Sequence, residues 1–310
     1  MKRNVILVDV SNLAFRSHYV LRNLEHEGKP TGMLFGFLNA VLGLRKTFQM
    51  PLVFCWDYGL PGDTRVKPWR QTIYPKYKNG RSNGSDDRKI VVGMLPVLKQ
   101  ALDMLGTVSL GISGLEADDI ISLATSNSAF EQGFGRPSLV FTNDRDLYQV
   151  LDGEVITIIQ PKKNDGKYNM VTEMEVLKEY GLTVERWATY LALGGDKSDG
   201  IHVMKGVGPV GAKRMVGAGI NLLKDWEDQP SAIHSQFKVC EEHWEDLQAV
   251  YKVALLPWDC KDERICDYIP DPRRQLDYTH PTKPDIEAFT GFCLDYGLLD
   301  FVGKRRQFFQ

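Results

Sequence analysis

Three carboxylates fall within four residues of the 310-residue chain, at Glu116, Asp118 and Asp119. The apolar run 120–124 follows directly, so these acids lie at the start of a predicted helix. Acidic side chains in a first helical turn are ordinarily stabilised by free N–H groups and the helix dipole, which is the simplest interpretation. Part of this acidic face must nevertheless lie against the core, where carboxylates are almost never found unpaired. The cluster therefore indicates a bound cation, and carboxylate oxygens suit Mg²⁺ or Mn²⁺.

Further acidic residues stand at the ends of short apolar runs rich in β-branched residues, which predict buried strands. The carboxyl ends of strands are where open α/β sheets place functional groups, so acids at these ends are expected to gather. For a single strand, capping of the next helix is an equally good explanation. These acids are Asp9 in the strand 4–10, Asp57 at the end of the strand 51–57, and Asp144 with Asp146 beyond the strand 139–142.

Asp196 and Asp199, three residues apart, bring the set to nine carboxylates. So many acids in one site would repel one another strongly without bound cations. Two divalent ions roughly 4 Å apart would balance the charge, and such a pair is the usual machinery of phosphodiester hydrolysis. The alternative for the last two acids is a solvated loop that follows a helix stop at Gly194–Gly195.

The segment 58–89 has a composition unlike the rest of the chain. Between residues 65 and 89, eight basic residues stand against two acidic ones, a local charge of +6 in a chain of net charge −2. Trp69, Tyr74 and Tyr77 are interleaved with these charges. Cations that meet phosphates and aromatic rings that stack on bases are typical of nucleic-acid grooves. The segment therefore predicts a nucleic-acid contact, with a mobile surface loop as the alternative.

Gly206 and Gly208 stand between two predicted helical segments, directly after Lys205. A tight glycine hairpin between helices can present backbone N–H groups to a phosphate. A turn that merely reverses the chain explains the two glycines equally well.

Composition restricts the class of protein. A hydrophobic content of 43% and a charged content of 25% are ordinary for a soluble globular protein. No apolar run is long enough to span a membrane, and the N-terminus leads into a strand without a signal peptide. Five cysteines without a disulfide-like spacing favour a reducing cytoplasm, and a zinc site built from Cys240, His243, Cys260 and Cys266 would have poor spacing.

The remaining patterns predict an α/β fold with a central, mostly parallel sheet flanked by helices and a helical C-terminal part. Residues 257–284, rich in Pro, Asp and Arg, are expected to run extended over the surface. Further strands are predicted at 107–112 and 154–160, and helices at 32–50, 90–105, 172–180 with a capping box Thr172-x-x-Glu175, 184–193, 244–254, and 285–299 with an interruption at Gly291.

Five motifs, in this order, resemble those of the 5′ nuclease superfamily, which includes flap endonucleases, the 5′-nuclease domain of bacterial DNA polymerase I and stand-alone phage-type 5′-3′ exonucleases. The resemblance extends over about residues 4–215. The motifs are Val8-Asp9-Val10-Ser11-Asn12, Arg70-x₆-Tyr77-Lys78-x₂-Arg81, Gly114-Leu115-Glu116-Ala117-Asp118-Asp119, Thr142-Asn143-Asp144-Arg145-Asp146-Leu147-Tyr148-Gln149, and Gly195-Asp196-Lys197-Ser198-Asp199 followed by Lys205-Gly206-Val207-Gly208.

The resemblance implies a PIN-like 5′-nuclease fold and roles for these residues. Segment 58–89 would be the helical arch through which a 5′ single strand passes, and Lys78 and Arg81 would be catalytic residues that stabilise the scissile phosphate. Arg70, Tyr77, Lys205, Gly206 and Gly208 would contact DNA, the last three in a helix-hairpin-helix that also holds K⁺. The metal ligands would be Asp9, Asp57, Glu116 and Asp118 for one ion, Asp144, Asp146, Asp196 and Asp199 for the other, and Asp119 between them.

Two departures from the family pattern lie near this hairpin. Residues 200–203 replace the usual Asn-aliphatic-Pro-Gly, and Val210-Gly211 replaces Lys-Thr. They concern duplex binding and the K⁺ ion, not the acids. We expect residues 1–193 to form the catalytic domain and residues 194–310 the duplex-binding and helical C-terminal region.

By this resemblance, the chain is a Mg²⁺-dependent 5′-3′ exonuclease or flap endonuclease of replication and repair, with Mn²⁺ as a substitute ion. It would act as a cytoplasmic monomer on DNA flaps, nicks and ends, beside replication proteins. An RNase H-like removal of RNA primers from RNA/DNA hybrids is an open alternative. Two others are a catalytically weak structure-specific DNA-binding protein of the same fold, against which the full set of acids argues, and a metal-dependent phosphatase, against which the basic segment argues.

Overall fold

Two compact units are formed, the first from residues 1–66, 82–143 and 259–310 and the second from residues 67–81 and 144–258. The predicted boundary between residues 193 and 194 remains a prediction about where catalysis and duplex binding divide. The structure, a computed structural model, describes residues 4–64, 66–79, 85–126, 137–153, 156–161, 168–195, 199–201, 204–259, 261–268 and 283–309.

Four parallel strands form the centre of the first unit. In their order across the sheet they are β5 Val108–Gly111, β4 Leu52–Trp56, β1 Val5–Asp9 and β6 Pro137–Phe141, and all three pairings are parallel. Every residue of β1 and β4 is buried, which explains why these segments are uniformly apolar. Because the strands are parallel, their carboxyl ends meet at one edge of the sheet. A short antiparallel hairpin joins β2 Glu25–His26 to β3 Lys29–Pro30.

Helices of the first unit bury apolar stripes. In the helix that follows β4 and precedes β5, Val91, Leu98 and Leu102 lie at helical spacing and are fully buried. Three aromatic side chains near the C-terminus, at Phe289, Phe301 and Phe308, are also fully buried. The helices are α1 Val10–Leu21, α2 Gly32–Phe48, α4 Asp86–Met104, α5 Ala117–Ser126, α11 Ile286–Asp295 and α12 Leu299–Lys304.

The second unit is mainly helical. Its core contains large side chains such as Trp187, Phe237 and Trp244, all buried. The antiparallel pair β7 Thr157–Pro161 and β8 Tyr168–Val171 belongs to it. Its helices are α3 Trp69–Ile73, α6 Glu173–Tyr180, α7 Trp187–Gly194, α8 Pro209–Gly217, α9 Ser231–Gln236 and α10 Trp244–Ala254, and 3₁₀ helices span Asp146–Val150, Val184–Arg186 and Lys238–His243.

The predicted strands and most predicted helices are present, with shifted ends. The capping box at Thr172 and Glu175 is formed, and the helix 244–254 has the predicted bounds. A helix directly after β1 was not predicted. It begins at Val10, because the Asp9 side chain caps it by accepting a hydrogen bond from the backbone N–H of Asn12, at 3.0 Å.

Three element predictions were wrong in detail. The helix predicted from residue 90 begins at Asp86, where Ser85 caps it. Gly291 does not interrupt the last predicted helix, which instead ends at Asp295, two residues before the left-handed Gly297. Residues 266–268 form a 3₁₀ helix rather than an extended stretch, and residues 269–282 lie outside the described part of the chain.

No helix of the described residues is long and apolar enough to cross a membrane.

Candidate active site

Asp9 stands at the carboxyl end of β1 and is 6% exposed. One carboxylate oxygen accepts the N–H of Asn12, and the other accepts the hydroxyl of Thr142 at 3.1 Å. Thr142 directly follows β6, the neighbouring parallel strand. Capping of α1 and a place at the sheet edge are therefore not alternatives for Asp9, because the same side chain does both.

Asp57 follows β4 and links this strand to α5. Its Oδ1 accepts the backbone N–H of Ala117, the first residue of α5, at 2.8 Å. The acid that ends the second predicted strand and the acidic start of the predicted helix are thus held together at one edge of the sheet.

Glu116 and Asp119 are both buried, at 4% and 0% exposure. Asp119 Oδ2 accepts the backbone N–H of Glu116 at 2.9 Å, and Asp118 Oδ1 accepts the N–H of Asp119 at 2.8 Å. The Glu116 carboxylate also accepts a hydrogen bond from the hydroxyl of Tyr58. Tyr58 has the left-handed φ of 60°, which is uncommon for a bulky residue. Sequence reasoning gave no role to Tyr58, because a tyrosine after an acid carries no chemical signal of its own.

The acids of the first unit fit a hard divalent cation by their chemistry. No group of three or more His, Cys, Asp or Glu side chains within the described ranges is arranged as a finished metal centre. The donors at this edge are nevertheless carboxylate oxygens, the ligands that Mg²⁺ prefers. Burial raises the pKa of the Cys55 thiol well above its ordinary value, and the charge of Asp9 raises it further. The carboxylates at this edge would stabilise a bound cation by their own negative charge.

Gly114 fixes the loop that carries Glu116. Its φ is +87°, and a Cβ there would lie 2.3 Å from Cδ1 and 2.6 Å from Cε1 of Tyr268. Only glycine combines this backbone conformation with such a close approach. Tyr268, which sequence reasoning missed, therefore packs directly on the backbone of the acidic loop.

In the second unit, Lys78 is held against Asp199. The Lys78 Nζ lies 3.8 Å from Asp199 Oδ2, and the Lys78 backbone N–H donates to the Asp199 carbonyl at 2.7 Å. The ammonium also lies 4.8 Å from the centre of the Tyr77 ring. Lys78 has a φ of +54°. Lys78 keeps this uncommon left-handed backbone conformation and is held to Asp199 by both the ion pair and the backbone hydrogen bond. The surrounding structure therefore fixes the position of its ammonium group.

Two further predicted ligands of this unit, Asp144 and Asp146, lie in a turn. Asp144 Oδ1 accepts the N–H of Asp146 at 2.9 Å, which closes the turn at the start of the 3₁₀ helix 146–150. Asp146 and Asp199 line one pocket together. The other residues that line it are Arg70, Tyr77, Leu191, Ile201, Val253 and Ala254.

The aromatic side chains of the basic segment do not form a stacking surface. Trp69, Tyr74 and Tyr77 are 0%, 6% and 4% exposed. Arg70 is also buried, lies within 6 Å of both the Trp69 and Tyr77 rings, and donates from Nε to the Val253 carbonyl at 3.0 Å. The expectation that these rings stack on bases is wrong for this arrangement, because packing covers them. Composition alone could not show which face of each ring is buried.

Gln149 joins the acidic turn to the end of α10. Its Nε2 donates to the carbonyls of Asp146 at 3.1 Å and Ala254 at 3.0 Å, and its Oε1 accepts the N–H of Leu256 at 3.2 Å. Gln149 is 5% exposed. It belongs to the fourth motif, but sequence reasoning gave it no role, because its partners are distant in sequence.

The glycine hairpin is exposed at Lys205 and Gly206. Gly206 has φ +84°, and Gly208 precedes α8, whose first residue is Pro209. α7 and α8, which precede and follow the hairpin in sequence, pack against each other.

Arg81 and Asp196, predicted as a catalytic residue and a metal ligand, lie outside the described residues.

Residues 4–181 match the family model described as 5′-3′ exonuclease, N-terminal resolvase-like domain. The match covers more than half of the chain, which therefore belongs to this 5′-3′ exonuclease family. DNA polymerase I of Thermus filiformis is 31% identical over 303 residues, 96% of this chain and 33% of that protein. The chain thus spans about a third of the length of these polymerases. A 5′-3′ exonuclease of Aquifex aeolicus is 29% identical over 261 residues, 83% of each chain.

Solved structures show the same fold at low sequence identity. The T5 D15 protein co-crystallised with metal ions gives a TM-score of 0.59 at 17% identity, over 97% of this chain and all of that one. The catalytic core of Rad2 with a DNA substrate gives 0.55 at 15%, over 98% and 91%. Human GEN1 with Holliday junction DNA gives 0.59 at 17%, over 95% and 68%. The predicted mostly parallel α/β fold of the 5′ nuclease superfamily is confirmed.

Proposed function

We propose that this chain is a divalent-metal-dependent 5′ nuclease that hydrolyses DNA phosphodiesters near 5′ ends, at junctions of single strand and duplex. The observation that carries the proposal is the gathering of buried acids at one edge of the parallel sheet of the first unit. Buried carboxylates are costly unless a cation accompanies them. A protein that only bound DNA would gain nothing from this burial. Membership of the 5′-3′ exonuclease family supports the same conclusion.

Two Mg²⁺ ions, replaceable by Mn²⁺, are the proposed cofactors. Among the structural relatives, the T5 D15 protein was co-crystallised with metal ions, and zinc ions are bound to T5 5′-exonuclease. When bound, such ions activate water and stabilise charge on a phosphoryl group. The proposed ligands are Asp9, Asp57, Glu116, Asp118 and Asp119 in the first unit, and Asp144, Asp146, Asp196 and Asp199 in the second.

Lys78 and Arg81 are the proposed catalytic cations. Charge builds up on the phosphoryl oxygens during hydrolysis, and a fixed cation stabilises it without reorganisation. The two attachments of Lys78 to Asp199 support this role. For Arg70 and Tyr77, we propose support of Lys78 in place of direct DNA contact, because both are buried, the Tyr77 ring lies against the Lys78 ammonium, and Arg70 lies against the Tyr77 ring.

The hairpin of Lys205, Gly206 and Gly208, exposed at its first two residues, is the proposed duplex contact. Backbone N–H groups before α8 and the side chain of Lys205 would meet a phosphate, and a K⁺ ion at the hairpin would assist. The complexes of Rad2 with a DNA substrate and of GEN1 with Holliday junction DNA support nucleic acid as the partner. RNA primers in hybrids, replication proteins, a monomeric state and a cytoplasmic location are parts of the same proposal.

Digestion of a 5′-labelled set of substrates tests this function. A flap, a nick and a blunt duplex are incubated with Mg²⁺, with Mn²⁺ and with EDTA, and each has an RNA-ended counterpart. We expect release of short 5′-labelled products from the flap and nick, only with a divalent ion. Binding without cleavage under every condition would instead support a DNA-binding protein of the same fold.

A further inference from the structure

Three sulfur atoms meet in the core of the second unit. The Cys240 Sγ lies 3.8 Å from the Sδ of Met204 and 4.0 Å from the Sδ of Met215. These side chains are 0%, 2% and 4% exposed. They come from three separate segments, namely the stretch before the glycine hairpin, α8 and the 3₁₀ helix 238–243. The fold therefore brings together one thiol and two thioethers that are distant in sequence.

The two distances from the Cys240 Sγ to the thioether sulfurs suit a single ion with three sulfur ligands. With metal–sulfur bonds of roughly 2.3 Å, three sulfurs in a plane around one ion stand about 4.0 Å apart. Thiolate and thioether ligands select soft metal ions, and Cu⁺ is the biological example. We propose that Cys240, Met204 and Met215 form a binding site for one soft monovalent cation, Cu⁺, for which Ag⁺ is the laboratory analogue.

Charge balance selects a monovalent ion over a divalent one. One thiolate neutralises one positive charge, and the two thioethers add none, so a Cu⁺ complex is neutral. The core that holds the sulfurs also contains Phe237 and Trp244, so a net charge there would be costly. A Zn²⁺ or Mg²⁺ ion would leave a buried charge of +1.

Binding exchanges the ion for a proton. Burial raises the pKa of the Cys240 thiol to about 11. The thiol proton therefore leaves as the sulfur–metal bond forms, and affinity rises with pH below that value. None of its residues belongs to the acidic sites, so metal binding here can be tested without reference to cleavage.

The position of the ligands has a consequence for the hairpin. Met204 directly precedes Lys205, and Met215 lies on α8, which begins at Pro209. A bound ion would tie both flanks of the hairpin to residue 240. We expect slower amide hydrogen exchange in residues 205–209 when the ion is bound.

The test uses the full chain with Cys260→Ala and Cys266→Ala, which removes the exposed thiol of Cys266 and the thiol nearest to it in sequence. Cu⁺ is titrated in competition with bicinchoninate, and Ag⁺ binding is counted by native mass spectrometry. We expect one ion per chain and a rise in Tm, because the ion binds the folded state. Cys293→Ala, which removes another buried thiol, is the matched control and should leave the affinity unchanged.

Met204→Leu/Met215→Leu keeps side-chain volume and removes both thioethers. Loss of outer-shell partners alone weakens metal sites 10–100-fold, so loss of two ligands should cost at least about 100-fold in affinity. Should the double variant fail to fold, Met215→Leu alone should still cost about 10-fold. An unchanged affinity in these variants, no binding to the parent chain, or a fall in Tm with Ag⁺ would overturn the proposal.

Discussion

Gly114→Ala should lower the free energy of unfolding of the first unit for two reasons, the backbone conformation at this position and the contacts of the new Cβ. The backbone part comes from φ +87°, since left-handed conformations cost a residue with a Cβ about 1–2 kcal/mol. The contact part comes from the new Cβ, 2.3 Å from the Tyr268 ring and 3.0 Å from Val66 Cγ2. Forced overpacking of this kind costs about 1–3 kcal/mol. The free energy of unfolding should therefore fall by about 2–5 kcal/mol.

A second substitution separates the two parts. In a Tyr268→Ala background the ring is absent, so Gly114→Ala should cost mainly the backbone part, about 1–2 kcal/mol. The coupling between the two positions is measured by a double-mutant cycle from urea unfolding midpoints. Gly93→Ala is the control, because Gly93 lies within α4 and its Cβ would meet nothing within 4 Å. It should be neutral or stabilising by up to about 1 kcal/mol.

The same substitution should also lower cleavage. A displaced loop would carry Glu116 away from its present position, two residues after Gly114. We expect slower single-turnover cleavage by Gly114→Ala and partial recovery in the double variant. An equal cost in both backgrounds would refute the assignment of Tyr268 as the residue that packs on this loop.

Three further outcomes are expected. Lys78→Ala should lower the single-turnover rate of flap cleavage at saturating enzyme about 10²-fold. Lys205→Ala should instead weaken DNA binding and reduce the slope of log affinity against log salt by about 1. Equal cleavage rates for Lys78→Ala and wild type would contradict the catalytic role of Lys78. Gln149→Leu removes three hydrogen bonds, to the carbonyls of Asp146 and Ala254 and from the N–H of Leu256, and should lower the free energy of unfolding by about 3 kcal/mol. Gln248→Leu, which removes two hydrogen bonds of a partly exposed side chain, should cost less than about 1 kcal/mol; equal urea midpoints would contradict this. The raised pKa of Cys240 favours the folded state while the thiol is protonated. This contribution to the free energy of unfolding should be fully present below the unfolded thiol pKa of about 8.5 and should be lost as pH rises toward the folded pKa of about 11. A Cys240→Ala chain with the same alkaline slope in urea unfolding would be evidence against it.

The acids at strand ends could be predicted because buried parallel strands are apolar throughout. Asp9 and Asp57 stand out after such runs, and parallel pairing places both at one edge of the sheet. The roles of the predicted site residues remain predictions, whereas the family and the fold are confirmed.

Partners distant in sequence could not be predicted. Tyr58 meets Glu116 across 58 residues, and Gln149 meets Ala254 across 105. Such pairings depend on how the elements pack, which the local periodicity of a sequence does not show. The burial of Trp69 was missed for the same reason, because interleaved charges suggested an exposed segment, whereas its ring is fully buried.

Helix α1 was not predicted because no break in the sequence pattern separates it from the strand before it. The run before it is apolar, and Val10 continues that run into the helix. Only the capping contact of Asp9 with Asn12 marks the boundary. A capping residue at the end of a strand therefore belongs to both the strand and the following helix, and sequence alone does not show where one ends and the other begins.

We propose that the buried acids at the sheet edge support metal-dependent cleavage of DNA 5′ ends. The most direct measurement is single-turnover cleavage of a 5′-labelled flap across a Mg²⁺ titration, for wild type, Asp9→Asn and the control Asp103→Asn. Asp103 pairs with Lys99 on the surface of α4, so its substitution should change nothing. We predict that Asp9→Asn lowers the rate by several orders of magnitude while flap binding and the urea midpoint persist. Equal cleavage by Asp9→Asn, or cleavage by wild type in EDTA at an unchanged rate, would contradict the account.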